Sequence, residues 1–466
     1  MNLIYNIDDK PKFSQLIVFA FQQVLAIMAA TIAVPAIIGN GMSQSAALFG
    51  AGVGTLIYQL FTRFKSPVFL GSSFAFIGSM LAAFAGATSA GMGYMGLILG
   101  ALFAGLVYVV IAVVVKFVGV AWVEKLMPAV VIGPTVAIIG LSLAGNAVGD
   151  MSAGGLKIDG ASVCSPYVAL ICALVTLFVV VLCSHYGKKM AKLIPFILGI
   201  LAGYVVALIF TVIGNAMDID ALRVIDFSAF KALFADGVTF GTFVSIPDFT
   251  FVTAMGSVSE FNWGYVASIA AAYVPVAFVV FAEHIADHKN LSSIIGSNLL
   301  EEPGLSRTLL GDGIGSIAGS FFGGCPNTTY GESVGCVAIT RNASVVTIMT
   351  AAIMCILISF VSPFVAFLST IPSCVMGGVC MTLYGFIAVS GLKMVQKVDL
   401  EQNKNVFVVS VILIAGIGGL ALTIGSVNIT SIACALILGI LVNIVLNLKK
   451  ETPVEEPVET VESDNE

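Results

Sequence analysis

The chain has 466 residues, of which 59% are hydrophobic and only 10% charged, and its mean hydropathy is +1.07. Soluble proteins carry about 25% charged residues, so an ordinary water-soluble globule is excluded, and the membrane rather than length sets the architecture. The net charge of −6 misleads: seven of the 26 acidic residues lie in the last sixteen positions, leaving 20 basic against 19 acidic groups and no basic patch for nucleic acid.

The first ten residues lack the basic start and the cleavage site of a signal peptide. A membrane helix needs about twenty apolar residues, and fourteen such spans are expected. Seven lie at about 14–38, 45–61, 68–86, 92–115, 126–146, 165–184 and 193–214. Seven more lie at about 264–287, 305–323, 327–341, 344–368, 374–392, 405–424 and 428–448. Between the two sets, 215–262 is polar and mixed, with Asp218, Asp220, Asp226, Asp236, Asp248 and Glu260. After Lys450 the sequence is rich in Glu, Pro and Thr, the composition of a disordered tail. The expected organisation is therefore a first repeat (1–214), an extracellular connection (215–262), a second repeat (263–450) and an acidic cytoplasmic tail (451–466). The nine cysteines are scattered singly, with no CxxC or Cys/His spacing for zinc, and read as small buried hydrophobes.

Charge placement tests the count. With a cytoplasmic N-terminus and alternating spans, seventeen basic residues fall at cytoplasmic ends and connections, and only Lys157, Arg223 and Lys231 fall outside. That is the bias of the positive-inside rule, and adding or removing one span would scramble it.

Two spans are defective at the same place in each set. The third begins Pro67-Val-Phe-Leu-Gly71-Ser72-Ser73-Phe74, and the tenth begins at Pro326 and carries Gly331 and Gly335. Proline and glycine make both poor continuous helices. Seven spans per half invert the second half relative to the first. Interrupted segments at matching positions of inverted halves point to a transporter's site near mid-membrane. Irregular backbone is tolerated there only where protein or a cavity covers it.

The tenth span also holds a carboxylate, Glu332, in the otherwise uncharged run Cys325–Thr340. An ionisable group at membrane depth is by default a functional candidate. The eighth span supplies a second, in Ala282-Glu283-His284-Ile-Ala-Asp287-His288-Lys289. Glu283 and Asp287 are four apart and share a helix face. Glu283 lies deep, whereas Asp287 and His288 approach the cytoplasmic end. His288 and Lys289 also fit a plain polar helix end. Two carboxylates in one membrane cavity suggest a proton site and can accept N–H bonds from a small polar ligand. A pyrimidine base offers alternating N–H and C=O groups along its edge. The glycine series Gly311-Asp-Gly313-Ile-Gly315 follows no strand, so the dinucleotide reading fails, and close helix packing explains it better. Asp312 within it fits either an interfacial polar residue or a ligand site.

The second-half signature Glu332-Ser333-Val334-Gly335-Cys-Val-Ala-Ile-Thr340-Arg341 resembles that of the nucleobase–ascorbate transporter family, and most its bacterial uracil branch. So do Pro326-Asn-Thr-Thr-Tyr330-Gly331, Ala282-Glu283-His284-Ile285, Glu302-Pro303-Gly304-Leu305 and Met376-Gly377-Gly378-Val379. The resemblance runs from about Gln22 to the fourteenth span. It implies an all-α polytopic fold of two inverted seven-span repeats, with short extended strands in spans 3 and 10. The repeats would interleave into a core domain (spans 1–4 and 8–11) and a gate domain (5–7 and 12–14). By the same resemblance Glu283 binds the base, Glu332 holds the site together, and the amides at Phe74 and Gly331 bind substrate. The Phe74 ring packs on the base, Tyr384 lies on the gate side, and Ser73 and Tyr330 adjoin the site. Three positions depart from the family. Its histidine four after the eighth-span glutamate is Asp287 here, with His288 adjacent; its first-span Gln-His pair is Gln22-Gln23; its signature Asn is Ser333.

The expected function is proton-coupled import of uracil across the cytoplasmic membrane, with both termini cytoplasmic. Glu283, Asp287, His288 and Glu332 are the proton-coupling candidates. Uracil, protons, lipid and a second copy of the chain are the expected partners, and no cofactor, metal or nucleic acid is expected. Glu332 favours a pyrimidine, since the purine branch usually has Gln there; a purine or xanthine permease is the alternative. A passive channel and a membrane enzyme built on Glu283, His284 and Asp287 fit less well, the enzyme for want of a nucleophile or three converging ligands.

Overall fold

The computed structural model describes residues 3–119, 122, 128–158, 161–188, 190–235, 237–260, 262–424 and 427–448. The expected acidic tail, with Lys125, Lys189, Asp236, Lys449 and Lys450, lies outside the described residues. In chain order, α1 (Phe13–Ile38) and α2 (Gln44–Phe61) lead to β1 (Leu70–Ser72), a 3-10 turn (Phe74–Phe76) and α3 (Ile77–Ala85). Then come α4 (Ala90–Val118), α5 (Ala129–Ser142), α6 (Ala144–Asp150), α7 (Pro166–Tyr186) and α8 (Pro195–Met217). The second half holds α9 (Trp263–Ile295), α10 (Leu305–Gly323), β2 (Asn327–Thr329), α11 (Gly331–Thr340), α12 (Val345–Ile358) and α13 (Ser362–Thr370). It ends with α14 (Ser373–Val395), α15 (Asn403–Ile417) and α16 (Ser431–Asn447).

Among the described residues, α1, α4, the α5–α6 run, α7, α8, α9 and α14 are each long and apolar enough to cross a membrane, and further apolar helices are shorter. The chain is thus a mostly helical, polytopic membrane protein. Its outward faces agree: α7 exposes Phe178, Val181 and Leu182, and α8 exposes Leu201, Val205, Ile209 and Val212. A contiguous apolar surface of this kind is unstable in water and stable against lipid. Local chemistry sets where helices begin. Ser43, Ser89, Asn262 and Thr430 cap α2, α4, α9 and α16 by accepting first-turn N–H groups. Pro166 and Pro195 stand in the first turn of α7 and α8, where their missing N–H costs nothing.

Three expectations need correction. The span at 344–368 is two helices, α12 and α13, because Pro363 has no N–H to continue the ladder. The span at 405–424 stops at Ile417, and Leu422–Ile424 instead pairs with Val427–Ile429 as a small hairpin. The eighth helix does not end near Asp287. It runs on to Ile295, 33 residues in all, or about 50 Å at 1.5 Å per residue. Lys289 and Asn290 are polar but good enough helix formers, so Asp287 and His288 lie about two turns inside the helix end, and His288 is buried.

The two defective spans meet. β1 and β2 pair antiparallel, with Leu70 opposite Thr329, Gly71 opposite Thr328 and Ser72 opposite Asn327. The ladder extends at both ends, through Ser73 N–H to Pro326 O (2.8 Å) and Tyr330 N–H to Phe69 O (3.2 Å). Asn327 anchors the pair by donating to Gly50 O (3.0 Å), and its side chain fills a notch between Gly54 of α2 and Gly319 of α10. A Cβ at either glycine would overlap the Asn327 amide. Tyr330 donates to Ser72 O (2.7 Å), with its ring laid where a Gly71 side chain would stand.

The polar connection is docked on the helices. Ser245 N–H bonds Phe360 O (3.0 Å) and Ser362 N–H bonds Phe243 O (3.0 Å). The exposed Glu260 accepts from Ser89 Oγ (2.7 Å) and Thr88 Oγ1 (2.9 Å), which hold its carboxyl below the ordinary glutamate pKa. A depressed folded-state value stabilises this docking above the unfolded value of about 4.3, and the contribution is lost as pH falls through the folded value. Protease sensitivity of 215–262 should therefore rise on acidification through that range, and Glu260→Gln should abolish the pH effect. In the core, Gly54→Ala and Gly319→Ala should lower the detergent melting temperature by several degrees, consistent with overpacking of about 1–3 kcal/mol. Gly145→Ala, which meets nothing within 4 Å, should leave it unchanged.

Candidate functional site

Because each strand ends in a helix start, β1 and β2 deliver two helix N-termini to one place: the Phe74 turn leading into α3, and α11. Free N–H groups at such ends favour negative charge or a polar acceptor. A cavity of about 350 Å³ lies there, at the small end of the usual range for ligand sites. One wall carries Phe74, Glu283, Asp287, Thr328, Thr329, Tyr330, Gly331 and Glu332. The opposite wall is largely apolar, from Val136 and Ile139 of α5, Phe196 of α8, and Leu383, Phe386 and Ile387 of α14, with Ser390 of α14 its one polar side chain.

The structure thus brings Glu283, Asp287, Glu332, Phe74, Tyr330 and Gly331 to one cavity. Glu283 and Asp287 enter from one face of α9, and Glu332 from the first turn of α11. Asp287 Oδ2 accepts from Thr329 Oγ1 (2.8 Å), so α9 is tied to β2 at the cavity wall. Among the described residues, no lysine or arginine lines the cavity. Three other expected residues stand apart from the lining. Ser73 is buried behind it, its hydroxyl without a partner among the described residues. Tyr384 faces a separate cavity of about 130 Å³ and meets Phe74 edge-on, with ring centroids 6.1 Å apart. His288 points to the hidden side of α9, where Nε2 meets the Tyr58 hydroxyl (2.7 Å) and Nδ1 donates to His284 O (2.8 Å). Helix rotation explains this: 288 is about 100° round from 287 at 3.6 residues per turn.

Two further cavities frame the site, one larger and one smaller. A cavity of about 750 Å³ adjoins it, shares Ala286 and Met394, and has Lys289 and Lys397 on its rim. On the far side of Phe74 lies another of about 250 Å³, lined by Gly78, Asn146, Thr430 and Ser431, so Phe74 separates two spaces.

Sequence reasoning missed the residues that hold this frame. Thr329 needed the strand register to be seen. Gln23 and Ser333, both noted only as departures from the family, bond each other: Gln23 Nε2 donates to Ser333 Oγ, which also accepts from Phe69 N (2.9 Å). One hydroxyl thereby joins α1, the lead-in to β1 and the first turn of α11 beside Glu332. Both residues are buried, so the two departures act as one linked change in the hydrogen-bond frame.

A mostly helical membrane protein, with broken spans around a small acid-lined cavity, has the architecture of a transporter. Residues 14–425 match the Permease family, and the chain belongs to that family. It is a transporter, not an enzyme. A "Uracil permease" of Bacillus caldolyticus is 39% identical over 446 residues, covering 95% of this chain and 94% of that protein. A "Uracil permease" of Escherichia coli K12 is 32% identical over 454 residues, covering 97% and 96%. The fold is that of the transmembrane domain of a cyanobacterial bicarbonate transporter, BicA, with a TM-score of 0.60 at 15% identity, covering 94% of this chain and 99% of that one.

The Ser333 node generates a test. Ser333→Ala and Gln23→Leu should each destabilise the protein, since each strands a buried donor or acceptor at about 1–3 kcal/mol. The double variant should cost less than the sum, because the two share one interaction. Thermal unfolding of all four proteins in the same detergent gives the cycle; strict additivity would mean that the bond carries no stability.

Proposed function

We propose that the chain is a proton-coupled importer of uracil, working by alternating access. The observation that carries the reading is the meeting of three carboxylates and two helix N-termini in one cavity, in a chain whose similar relatives are uracil permeases. A uracil edge alternates N–H and C=O. Glu283 accepts the N–H groups, the amides at Gly331 and Phe74 donate to the carbonyl oxygens, and the Phe74 ring covers the base. Glu332 completes the acceptor set from α11, and Tyr384 stands behind Phe74 on the gate side.

Proton coupling follows from the crowding. Glu283, Asp287 and Glu332 put like charges in a site of low dielectric with no lining cation, and bound protons relieve that repulsion. Glu283 and Asp287 carry the coupling, Asp287 standing where the family has histidine. His288 joins as a neighbour rather than as a cavity group.

The moving parts divide along the observed packing. α2 packs on α10, and α4 on α9 and α10, as one body; α5 packs on α14 and α15, and α7 on α8 and α14, as another. This fits fourteen crossings in two inverted seven-span repeats, with the broken spans in the core body and the apolar wall in the gate body. The Lys289 and Lys397 rim marks the cytoplasmic side, with both termini there, and the 250 Å³ space beyond Phe74 leads outward. Asn327 and Tyr330 make the core body rigid, so that the two bodies move against each other rather than the strand pair breaking. The membrane is the cytoplasmic one, and the protein acts as a homodimer.

In proteoliposomes with an imposed pH gradient, inside alkaline, radiolabelled uracil should accumulate, and a protonophore should abolish accumulation. Glu283→Gln should weaken binding by about 10- to 150-fold, the size of a lost charge-assisted hydrogen bond of about 1.5–3 kcal/mol. Wild-type accumulation by that variant would remove Glu283 from the binding role. Competition by xanthine but not uracil would move the substrate to the purine branch, and uptake indifferent to the protonophore would make the protein a passive pathway.

A further inference from the structure

The hidden face of α9 carries a second polar assembly, outside the lining of the cavities described above. His284 and Asp312 are fully buried, and Nδ1 of the ring lies 2.7 Å from Asp312 Oδ2. His284 Nε2 lies 2.9 Å from Thr308 Oγ1, and Thr308 itself bonds Leu305 O (3.0 Å). The second oxygen of Asp312 has no partner among the described residues, and its ion-pair partner there is His284. One turn further on, His288 stacks on His284 with ring centroids 4.0 Å apart, and continues through the Tyr58 hydroxyl to Ser66 (2.8 Å). The assembly joins α9 to α10 and to α2.

Proton counting narrows its state. If the single Thr308 hydrogen goes to Leu305 O, His284 Nε2 must be a donor. The proton between Nδ1 and Oδ2 then belongs either to the acid or to the ring, and both arrangements leave the pair net neutral. The remaining arrangement, Thr308 donating to Nε2 and a neutral ring donating to an ionised Asp312, leaves an anion at membrane depth with one oxygen unbonded. Burying an unpaired carboxylate costs several kcal/mol. The other ionisable groups around the pair are Glu283, Asp287 and His288 of α9, Tyr58 of α2 and Tyr108 of α4. None of them supplies a fixed positive charge. His288 Nδ1 must be an N–H, since it faces a carbonyl, so a neutral His288 accepts at Nε2 one hydrogen from the Tyr58 and Ser66 hydroxyls, which lie 2.7 and 3.4 Å away and share the other hydrogen between themselves.

We propose that His284 and Asp312 permanently hold one proton between them as a net-neutral pair. With His288, Tyr58 and Ser66, this pair fixes the rotation of α9 that turns Glu283 and Asp287 into the cavity. His284, Asp312 and Tyr58 are positioning residues, outside the path of the transported proton. That last clause rests on the proposed proton-coupled uptake; the proton-holding pair does not.

The chain has three histidines, His185, His284 and His288, so the full-length protein labelled with 15N-histidine in lipid nanodiscs gives three imidazoles, with His185→Gln assigning the first. From about pH 5 to pH 8, the range in which a free imidazole titrates, His284 should keep constant shifts with Nε2 protonated and Nδ1 in a shared hydrogen bond. His288 should stay the neutral Nδ1–H form, and saturating uracil should change neither protonation state. A His284 with unprotonated Nε2 would overturn the neutral pair; titration of either ring, or a proton gained or lost on adding uracil, would overturn its exclusion from the proton path. Asp312→Asn, whose amide can donate to Nδ1, should keep the His284 tautomer and bind uracil within about threefold of wild type. Asp312→Ala, which strands Nδ1, should weaken binding at least about tenfold. Equal loss in both variants would overturn the positioning role. A protein that binds no uracil at all would sink the proposed function while leaving the spectra to decide the pair.

Discussion

A chain that leaves the helix inside a bilayer frees N–H and C=O groups that lipid cannot satisfy, at several kcal/mol each. Here two such breaks satisfy each other. The three-residue strands β1 and β2 pair across the two halves of the sequence, and the ladder runs one bond past each end, to Pro326 O and Phe69 O. Side chains close what the ladder leaves open: Asn327 to Gly50 O, Tyr330 to Ser72 O, Ser333 to Phe69 N. The rest follows from this pairing, because it alone brings the starts of two half-helices to one point.

The acids sit where the break makes room for them. Glu332 stands in the first turn of α11, where helix-end amides favour a carboxylate, and Asp287 is held by Thr329. α9 presents acids on one face and histidines on the next, so a single helix supplies both a cavity wall and a polar anchor. Among the described residues, the largely apolar wall from α5, α8 and α14 makes no hydrogen bond to the acids, whose one side-chain bond is from Thr329 to Asp287. A wall of that kind can slide or rock without breaking hydrogen bonds, as the proposed alternating access would require of it.

Much of this was legible in residue order. Periodicity and length marked the helices, and α10 runs over the 305–323 stretch expected of it. Pro67 and Pro326 marked the breaks, and Glu283 and Glu332 stood out because charge at membrane depth is costly. The errors lie where neighbours overrule local signals. Asp287 and His288 looked like a helix end because polar residues follow them, yet packing of Leu291, Ile294 and Ile295 with Tyr58 of α2 and Val334 and Val337 of α11 keeps the helix going to Ile295. His288 looked exchangeable with Asp287 as a coupling group, but one residue on a helix turns the side chain to a different neighbour. Thr329 carries no signal of its own, since a threonine in a strand is ordinary until its partner is known.

By itself the sequence determined the solvent, the helical class, the two breaks and the acids that come to line the cavity, because hydropathy, proline and buried charge act locally and are readable residue by residue. Only the tertiary structure decided that the two breaks pair with each other, and that Gln23 and Ser333 form one bond. It also decided that His284 and Asp312 close a buried pair behind the site. Those are contacts between residues as far as 310 positions apart, and their energy depends on distance and exclusion of solvent, which residue order does not contain.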